Sequence, residues 1–371
     1  GCVVNYEDFS VAGKSEISSE SANKNNKFYG FFRRHRLIVL LWIRELIWKT
    51  GRWKNNSFEN FVKNYNPNVV MMPMYSNIYM YDILFYVKKL TNAKIVLCTG
   101  DDVYSLKKWR FSPFFWINKF FLRRKMRKAV NISNRCFCLT DMQSEEYSTI
   151  FNKQFKTLRK GMNFEKDRSL LSLPNGQVID IVYTGNILLG RYKILGLIGD
   201  AIHKVNKLGK KYCLHIYSAD SLSNKMKNCL LKYPNDVIFH GRISSEEVKK
   251  VQSDADILIH VENFSLRDKL TTRLSFSTKL VDYFYQGKCI FAVGPKDVAS
   301  IDYLIKNDAA VVATNEKEIY EKLKMLVENP DIIREYGDKA WDCGKRNHQI
   351  DKIQKMLYED FERIIHENSA D

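Results

Sequence analysis

Short apolar runs alternate with longer amphipathic stretches along most of the chain, and that rhythm predicts its architecture. Residues 64–75 and 92–102 each set a polar turn before a short apolar run, with a helix-like stretch at 77–90 between them. Two parallel strands need a crossover of about helix length, so this is a β-α-β unit. Residues 134–140, "NRCFCLT", read as a further strand, followed by a helix over "DMQSEEYSTIF" with Asp141 at its start. After Pro174-Asn175-Gly176 the pattern restarts. Strands are predicted at 178–186, 212–218, 236–241, 255–261, 288–294 and 309–314. Helices fall at 191–207, 221–233, 244–252 and 277–286, and residues 316–366 are helical and charged. Alternation at this pace indicates an α/β protein of two Rossmann-like, doubly wound domains. The composition shift at 166–178 places the boundary between domains 1–172 and 173–371.

Two amphipathic stretches interrupt this regularity. Residues 31–54 and 109–130 interleave Trp and Phe with Arg and Lys, as helices lying in an anionic membrane interface do. Neither spans a bilayer: the first runs only seven residues, Leu37 to Ile43, without a charge, where about twenty are needed. It also sits too far into the chain, without a small-residue cleavage site, for a signal peptide. Residues 10–27 are polar and read as a disordered lead-in, and the start at Gly1-Cys2 suggests a truncated or processed chain.

Charge sharpens the picture. Of 371 residues, 59 are Lys or Arg and 42 Asp or Glu, a net charge of +17. Residues 1–170 hold 30 basic against 14 acidic side chains (30 − 14 = +16), residues 171–371 hold 29 against 28 (+1). A polyanionic partner is therefore expected on the first half alone. Nucleic acid is the weaker choice, because no recognition motif accompanies the charge. The eight cysteines show no zinc spacing; Cys136-x-Cys138 suits alternate residues of a strand, and all eight read as reduced thiols of a cytosolic protein. His203, His215, His240 and His260 lie on separate elements and read as structural, and Met71, Met72 and Met74 as core.

The candidate chemistry gathers at strand ends in the second half, where a doubly wound sheet holds its ligands. "TGNILLGRYK" (184–193) supplies Gly185 for a close backbone approach, Asn186, and the cations Arg191 and Lys193. "HGRIS" (240–244) supplies Arg242. "SFSTKLVDYF" (275–284) packs Ser275, Ser277, Thr278 and Lys279 into the start of a helix. Hydroxyls, an ammonium and free N–H groups at a helix N-terminus together suit a phosphate or diphosphate. Asp282, about one and a half turns on, suits the vicinal hydroxyls of a ribose, so the combination reads as a nucleotide site. In the first half Asp101 and Asp102 end a strand facing the presumed cleft. Either orients or deprotonates an acceptor hydroxyl, or both serve as an Asx turn or helix cap.

These segments, above all "VYTGN…GRYK", "FHGRISSEEV", "ADILIHVENF", "SFSTKLVDYFYQGKCIFAVGP" and "DVASIDYL", resemble the GT-B glycosyltransferases, specifically the family 4-like group of bacterial surface-polysaccharide type. The resemblance covers most of 182–314 and runs more loosely through "NPNVVMMP", "GDD" and "FCLTDMQSEEYSTIF". It implies a hexosyltransferase whose second domain binds a nucleoside-diphosphate sugar, UDP foremost, and whose first binds a glycan or polyprenyl-diphosphate-linked acceptor. It further implies retention of configuration and a peripheral place at the inner face of the cell membrane. No cofactor and no metal are expected, because no Asp-x-Asp stands at a strand end. On this likeness Arg191 and Lys279 neutralise the diphosphate, Asp282 takes the ribose, the backbone near Arg242 faces the base, and Glu262 lies near the donor sugar or acceptor as a candidate catalytic carboxylate. Two departures stand out. Where many members carry two glutamates with seven residues between them, this chain has Leu274 and Asp282. The family's opening strand and glycine-rich loop have no counterpart before residue 64, so the first domain is expected to lack its first strand. A nucleotide-sugar epimerase or hydrolase on the same fold is the alternative enzyme.

Overall fold

The structure is a computed structural model that describes residues 38–108, 111–165, 178–209 and 211–366. The lead-in at 10–27, the start of the 31–54 stretch and the domain boundary at 172–173 lie outside the described residues.

The first half comprises helices α1 (Ile38–Thr50) and α2 (Asn56–Tyr65), strand β1 (Val69–Pro73), α3 (Ile78–Leu90), β2 (Lys94–Thr99), α4 (Pro113–Ile132), β3 (Arg135–Cys138), α5 (Asp141–Phe151) and β4 (Phe155–Thr157). Its four strands pair in chain order, all parallel. Crossovers in a parallel sheet are right-handed, so a sheet that grows in one direction carries its crossover helices on one face. The residues obey that rule. Ile95, Leu97, Cys136 and Cys138 point into a core with Tyr81, Leu84, Leu122, Met126 and Tyr147 of α3, α4 and α5. The Cys136-x-Cys138 spacing thus puts both thiols on one face of a strand, as the alternation predicts.

The opposite face is covered from the far end of the chain. The second half comprises β5 (Val178–Thr184), α6 (Arg191–Asn206), β6 (Lys211–Tyr217), α7 (Asn224–Leu230), β7 (Val237–Gly241), α8 (Ser245–Asp254), β8 (Ile257–Val261), α9 (Leu266–Thr272), α10 (Lys279–Gln286), β9 (Cys289–Val293), α11 (Ala299–Lys306), β10 (Val311–Ala313), α12 (Glu316–Glu328), α13 (Pro330–Asn347) and α14 (Ile350–His366). Helix α14 returns to the first sheet, where Ile364, Leu357 and Phe361 pack on Val96 and Phe137. Buried Asp360 meets Lys156 at 2.7 Å and Arg135 at 3.5 Å. The span 173–371 is therefore not one spatial unit: its last helix completes the other half. Periodicity reports that a helix has an apolar face, not which sheet that face meets.

The second sheet is parallel with the order β10-β9-β8-β5-β6-β7. Its direction of growth reverses between β5 and β8, the switch point beside which a doubly wound sheet opens a crevice. Strand residues alternate between two cores. Ile257, Ile259, Phe291 and Val293 face α6, α7 and α12, while Leu258, Ile290 and Ala292 face α10, α11 and α13. All six strands predicted after residue 178 are present. The three-residue β4 is too short to alternate and escapes the pattern, whereas helix α2, capped by Asn55 on Phe58, carries Phe58, Phe61, Val62 and Tyr65 at helical spacing and simply went unread.

Candidate active site

Each helix that flanks the switch point opens on a cation: Arg191 is the first residue of α6, and Lys279 the first of α10. A cation at that end opposes the helix dipole, so both positions break a local rule, as residues at functional sites do. Lys279 Nζ lies over the Tyr183 ring at 4.2 Å and donates to the Thr184 carbonyl at 3.0 Å. Gly185 makes the room. A Cβ there would stand 3.2 Å from Lys279 Nζ, and φ is +137°, where side chains are strained. Burial, with help from the Arg191 charge, lowers the Lys279 pKa to about 7. Glu262 opposes that fall, but its carboxylate is already committed to Arg191.

Arg191 is fixed on three sides. It donates to Asn186 Oδ1 at 2.7 Å, to Glu262 Oε1 at 2.9 Å and to the Val261 carbonyl at 3.3 Å. Glu262 is buried just past β8, its backbone N–H bonded to Val293. Gly190 caps α6 with φ +73°, and a Cβ on it would collide with Asn263 Nδ2 at 1.8 Å. Asn263 in turn bonds Asp268 at 2.7 Å. The switch point thus brings Gly185, Asn186, Arg191, Lys279 and Glu262 together.

Beside them a cleft of about 270 Å³ opens at the ends of β5, β6 and β7, lined by Gly185, Asn186, Tyr217, Asp220, Arg242 and Ile243 among others. Tyr217 and Asp220 went unread in the sequence, although both lie at the end of the strand in "YCLHIYSAD". Tyr217 stacks on His240 at 4.4 Å and offers a flat aromatic wall. Asp220 accepts the Ile187 N–H at 2.8 Å and so holds the loop after β5.

Other candidates stand elsewhere. Asp282 pairs with Lys160 at 2.8 Å, and Lys160 also reaches the Thr278 carbonyl at 3.2 Å. Ser275 turns away from the cations and donates to Asp101 Oδ1 across the halves at 2.8 Å. Ser277 and Thr278 precede α10, with Thr278 exposed. Asp101 is exposed at the end of β2, but Asp102 is only 2% exposed. It accepts from the backbone of Ser105 at 3.0 Å, from the Ser105 hydroxyl and from Tyr147 at 3.1 Å, with Arg273 at 3.6 Å. A carboxylate so occupied is structural, which removes Asp102 from the catalytic candidates and leaves Asp101 and Glu262. Among the described residues no group of three His, Cys, Asp or Glu side chains is placed to hold a metal ion.

The halves are stapled by the loop that leads into α10. Leu274 is fully buried in the first-half core, its carbonyl bonded by Thr140 at 3.1 Å. Arg273 forms a two-pronged pair with Glu146 at 2.6 and 2.8 Å. The position where many family members carry their first glutamate is here an apolar plug.

No protein-family model and no curated protein sequence matches this chain. Solved structures do. TarM aligns with TM-score 0.59 at 13% identity over 82% of this chain, which spans 57% of that one. The pneumococcal O-GlcNAc transferase GtfA, in complex with UDP and GlcNAc, aligns with TM-score 0.58 at 12% identity over 83% of this chain and 60% of its own. Anabaena HepE, in complex with UDP and glucose, gives TM-score 0.60 at 12% identity over 82% and 80%. The chain therefore spans less than two thirds of the TarM and GtfA chains. At these identities the likeness establishes architecture: two parallel-sheet α/β domains in the GT-B fold.

Proposed function

We propose that the protein is a glycosyltransferase that takes its sugar from a nucleoside-diphosphate donor, UDP-linked foremost, and passes it to a glycan or lipid-linked acceptor. The observation that carries this reading is the placement of Lys279 Nζ against Gly185, a residue that also lines the Tyr217–Arg242 cleft, where the Arg191 charge acts on it. The base enters that cleft against Tyr217, the diphosphate meets Lys279 and Arg191, and Glu262 beneath Arg191 sets the guanidinium's direction. Charge builds on the departing diphosphate in the transition state, and two fixed cations stabilise it there, the work a metal ion would otherwise do. Asp101, at the end of the facing sheet, is the group proposed to receive the acceptor hydroxyl's proton. Retention of configuration follows the family resemblance and is read from the anomeric coupling of the product. Thermal stabilisation by UDP sugars over GDP, CMP and ADP sugars supports the reading; no response to any nucleotide sugar defeats it.

The site carries its own pH signature. Lys279 without ligand is half-protonated near pH 7. A neighbouring diphosphate favours the ammonium and raises that pKa, so binding takes up a proton. Affinity is then full below the free pKa and falls as pH rises above it. For a nucleotide sugar, whose diphosphate diester stays ionised throughout, the loss is about tenfold between pH 6 and pH 8. Calorimetry in buffers of different ionisation heat measures both affinity and proton uptake. A flat profile removes Lys279 from the diphosphate.

We further propose that α1 and α4 rest on an anionic membrane. Phe114, Ile117, Phe120 and Phe121 are exposed on α4, and Ile43, Leu46 and Ile47 on α1, with exposed Arg124 and Lys128 one and two turns farther along α4. That order, apolar ahead of basic, fits an interface-lying helix. Among the described residues no helix is long and apolar enough to cross a membrane. Cosedimentation with anionic vesicles at low salt, lost at high salt, is the expected result; none at low salt refutes it.

A further inference from the structure

In a nucleotide the ribose lies between the base and the phosphates. On a doubly wound sheet, an acidic residue at the far end of the first β-α-β unit is placed to take its hydroxyls. In the second sheet that unit runs from β5 through α6 to β6, two neighbouring parallel strands. The acidic residue there is Asp220, three positions beyond Tyr217, where β6 ends. Asp220 lines the cleft together with Gly185, Tyr217 and Arg242. It also acts on the phosphate side. Burial opposes the Arg191 charge, while Glu262 and, behind it, Asp220 support that charge. One carboxylate thus lies along the wall proposed for the base and is felt by a cation proposed for the diphosphate.

Its two oxygens are used unequally. The Ile187 N–H at 2.8 Å and the Ser218 hydroxyl at 3.4 Å both go to Oδ2, and the Asp220 N–H returns to Ser218 Oγ at 3.2 Å. These bonds set the direction of the carboxylate, and no hydrogen bond among the described residues engages Oδ1. Asp102 differs, with both of its oxygens taken. Asp282, which the family likeness sets on the ribose, pairs with Lys160 at 2.8 Å and does not line the cleft. An ionised carboxylate only accepts hydrogen bonds, so hydroxyl groups are what Asp220 can hold beside a diphosphate. We infer that Asp220, through Oδ1, takes the ribose hydroxyls in place of Asp282 and so selects ribonucleotides over their deoxy counterparts. The assignment rests on the nucleoside-diphosphate reading of the site.

The test is calorimetric titration of the whole chain with UDP and with 2′,3′-dideoxy-UDP. The wild type is expected to prefer UDP about tenfold, the worth of one hydrogen bond to a charged group. Asp220→Asn keeps an acceptor for the Ile187 N–H but loses the charge, and should remove most of that preference. The dideoxy compound should bind this variant at least as tightly as before, because a negative charge near the diphosphate is gone. Asp282→Asn should leave the preference at its wild-type value. The preference is a ratio taken within one variant, so it stays readable even where a loosened loop weakens both ligands. A preference that survives Asp220→Asn, or that falls in Asp282→Asn instead, overturns the proposal. So does an Asp220→Asn protein that changes its choice between UDP and GDP but not that between UDP and the dideoxy compound, since the carboxylate then reads the base. Failure of wild-type UDP binding defeats the donor reading and this assignment with it, whereas UDP binding without any preference for the ribose defeats the assignment alone.

Discussion

Lys279→Met is expected to weaken UDP binding about 10- to 100-fold, the range for one to two hydrogen bonds to a charged group, without lowering the melting temperature. The ammonium is held against Gly185, over Tyr183 and close to Arg191, in surroundings that bring its pKa to about 7. Its removal relieves crowding of like charge in the empty site, and methionine fills the same channel. Function and stability therefore move in different directions, which a merely structural lysine does not allow. Calorimetry for UDP and a thermal melt of the same sample give both readings. Undiminished affinity shows that the diphosphate lies elsewhere.

Leu274→Ala is expected to act the opposite way, costing about 2–5 kcal/mol of stability, as large-to-small changes in a packed core do. Leu274 is fully buried among first-half residues, although it belongs to the loop before α10. Its loss leaves a hole in one half and loosens the staple on the other. The Arg273–Glu146 pair and the Thr140 bond to its carbonyl then hold the loop alone. Urea denaturation should show a lower midpoint, and UDP affinity should fall with it because Ser277–Lys279 follow directly. A midpoint equal to wild type means that the halves do not depend on this plug.

How far the sequence could be read follows from the range over which each signal acts. Hydrophobic period is local, and the alternating strands of the second half were legible from it, down to the paired thiols of β3. The cations beside the switch point were legible too, because Arg191 and Lys279 each break a helix-start preference. Partnerships between distant residues were not. Asp102 and Asp101 are neighbours in sequence, yet one is consumed by Ser105, Tyr147 and Arg273 while the other stays exposed. Asp282 reads as a ribose ligand until Lys160, from the end of the first half, is seen to hold it. Leu274 reads as a missing glutamate until its burial shows that its position does packing work. Helix α14 shows an apolar face to any pattern, but only the exposed back of the first sheet decides where that face goes.

The central claim, that a nucleoside diphosphate binds at the switch point of the second sheet, is tested most directly by a crystal structure of the protein with UDP. Phosphate oxygens are expected within hydrogen-bonding reach of Lys279 Nζ and the Arg191 guanidinium, with the base in the cleft between Tyr217 and Arg242. UDP held by other residues, with Lys279 still bonded only to the Thr184 carbonyl, contradicts it.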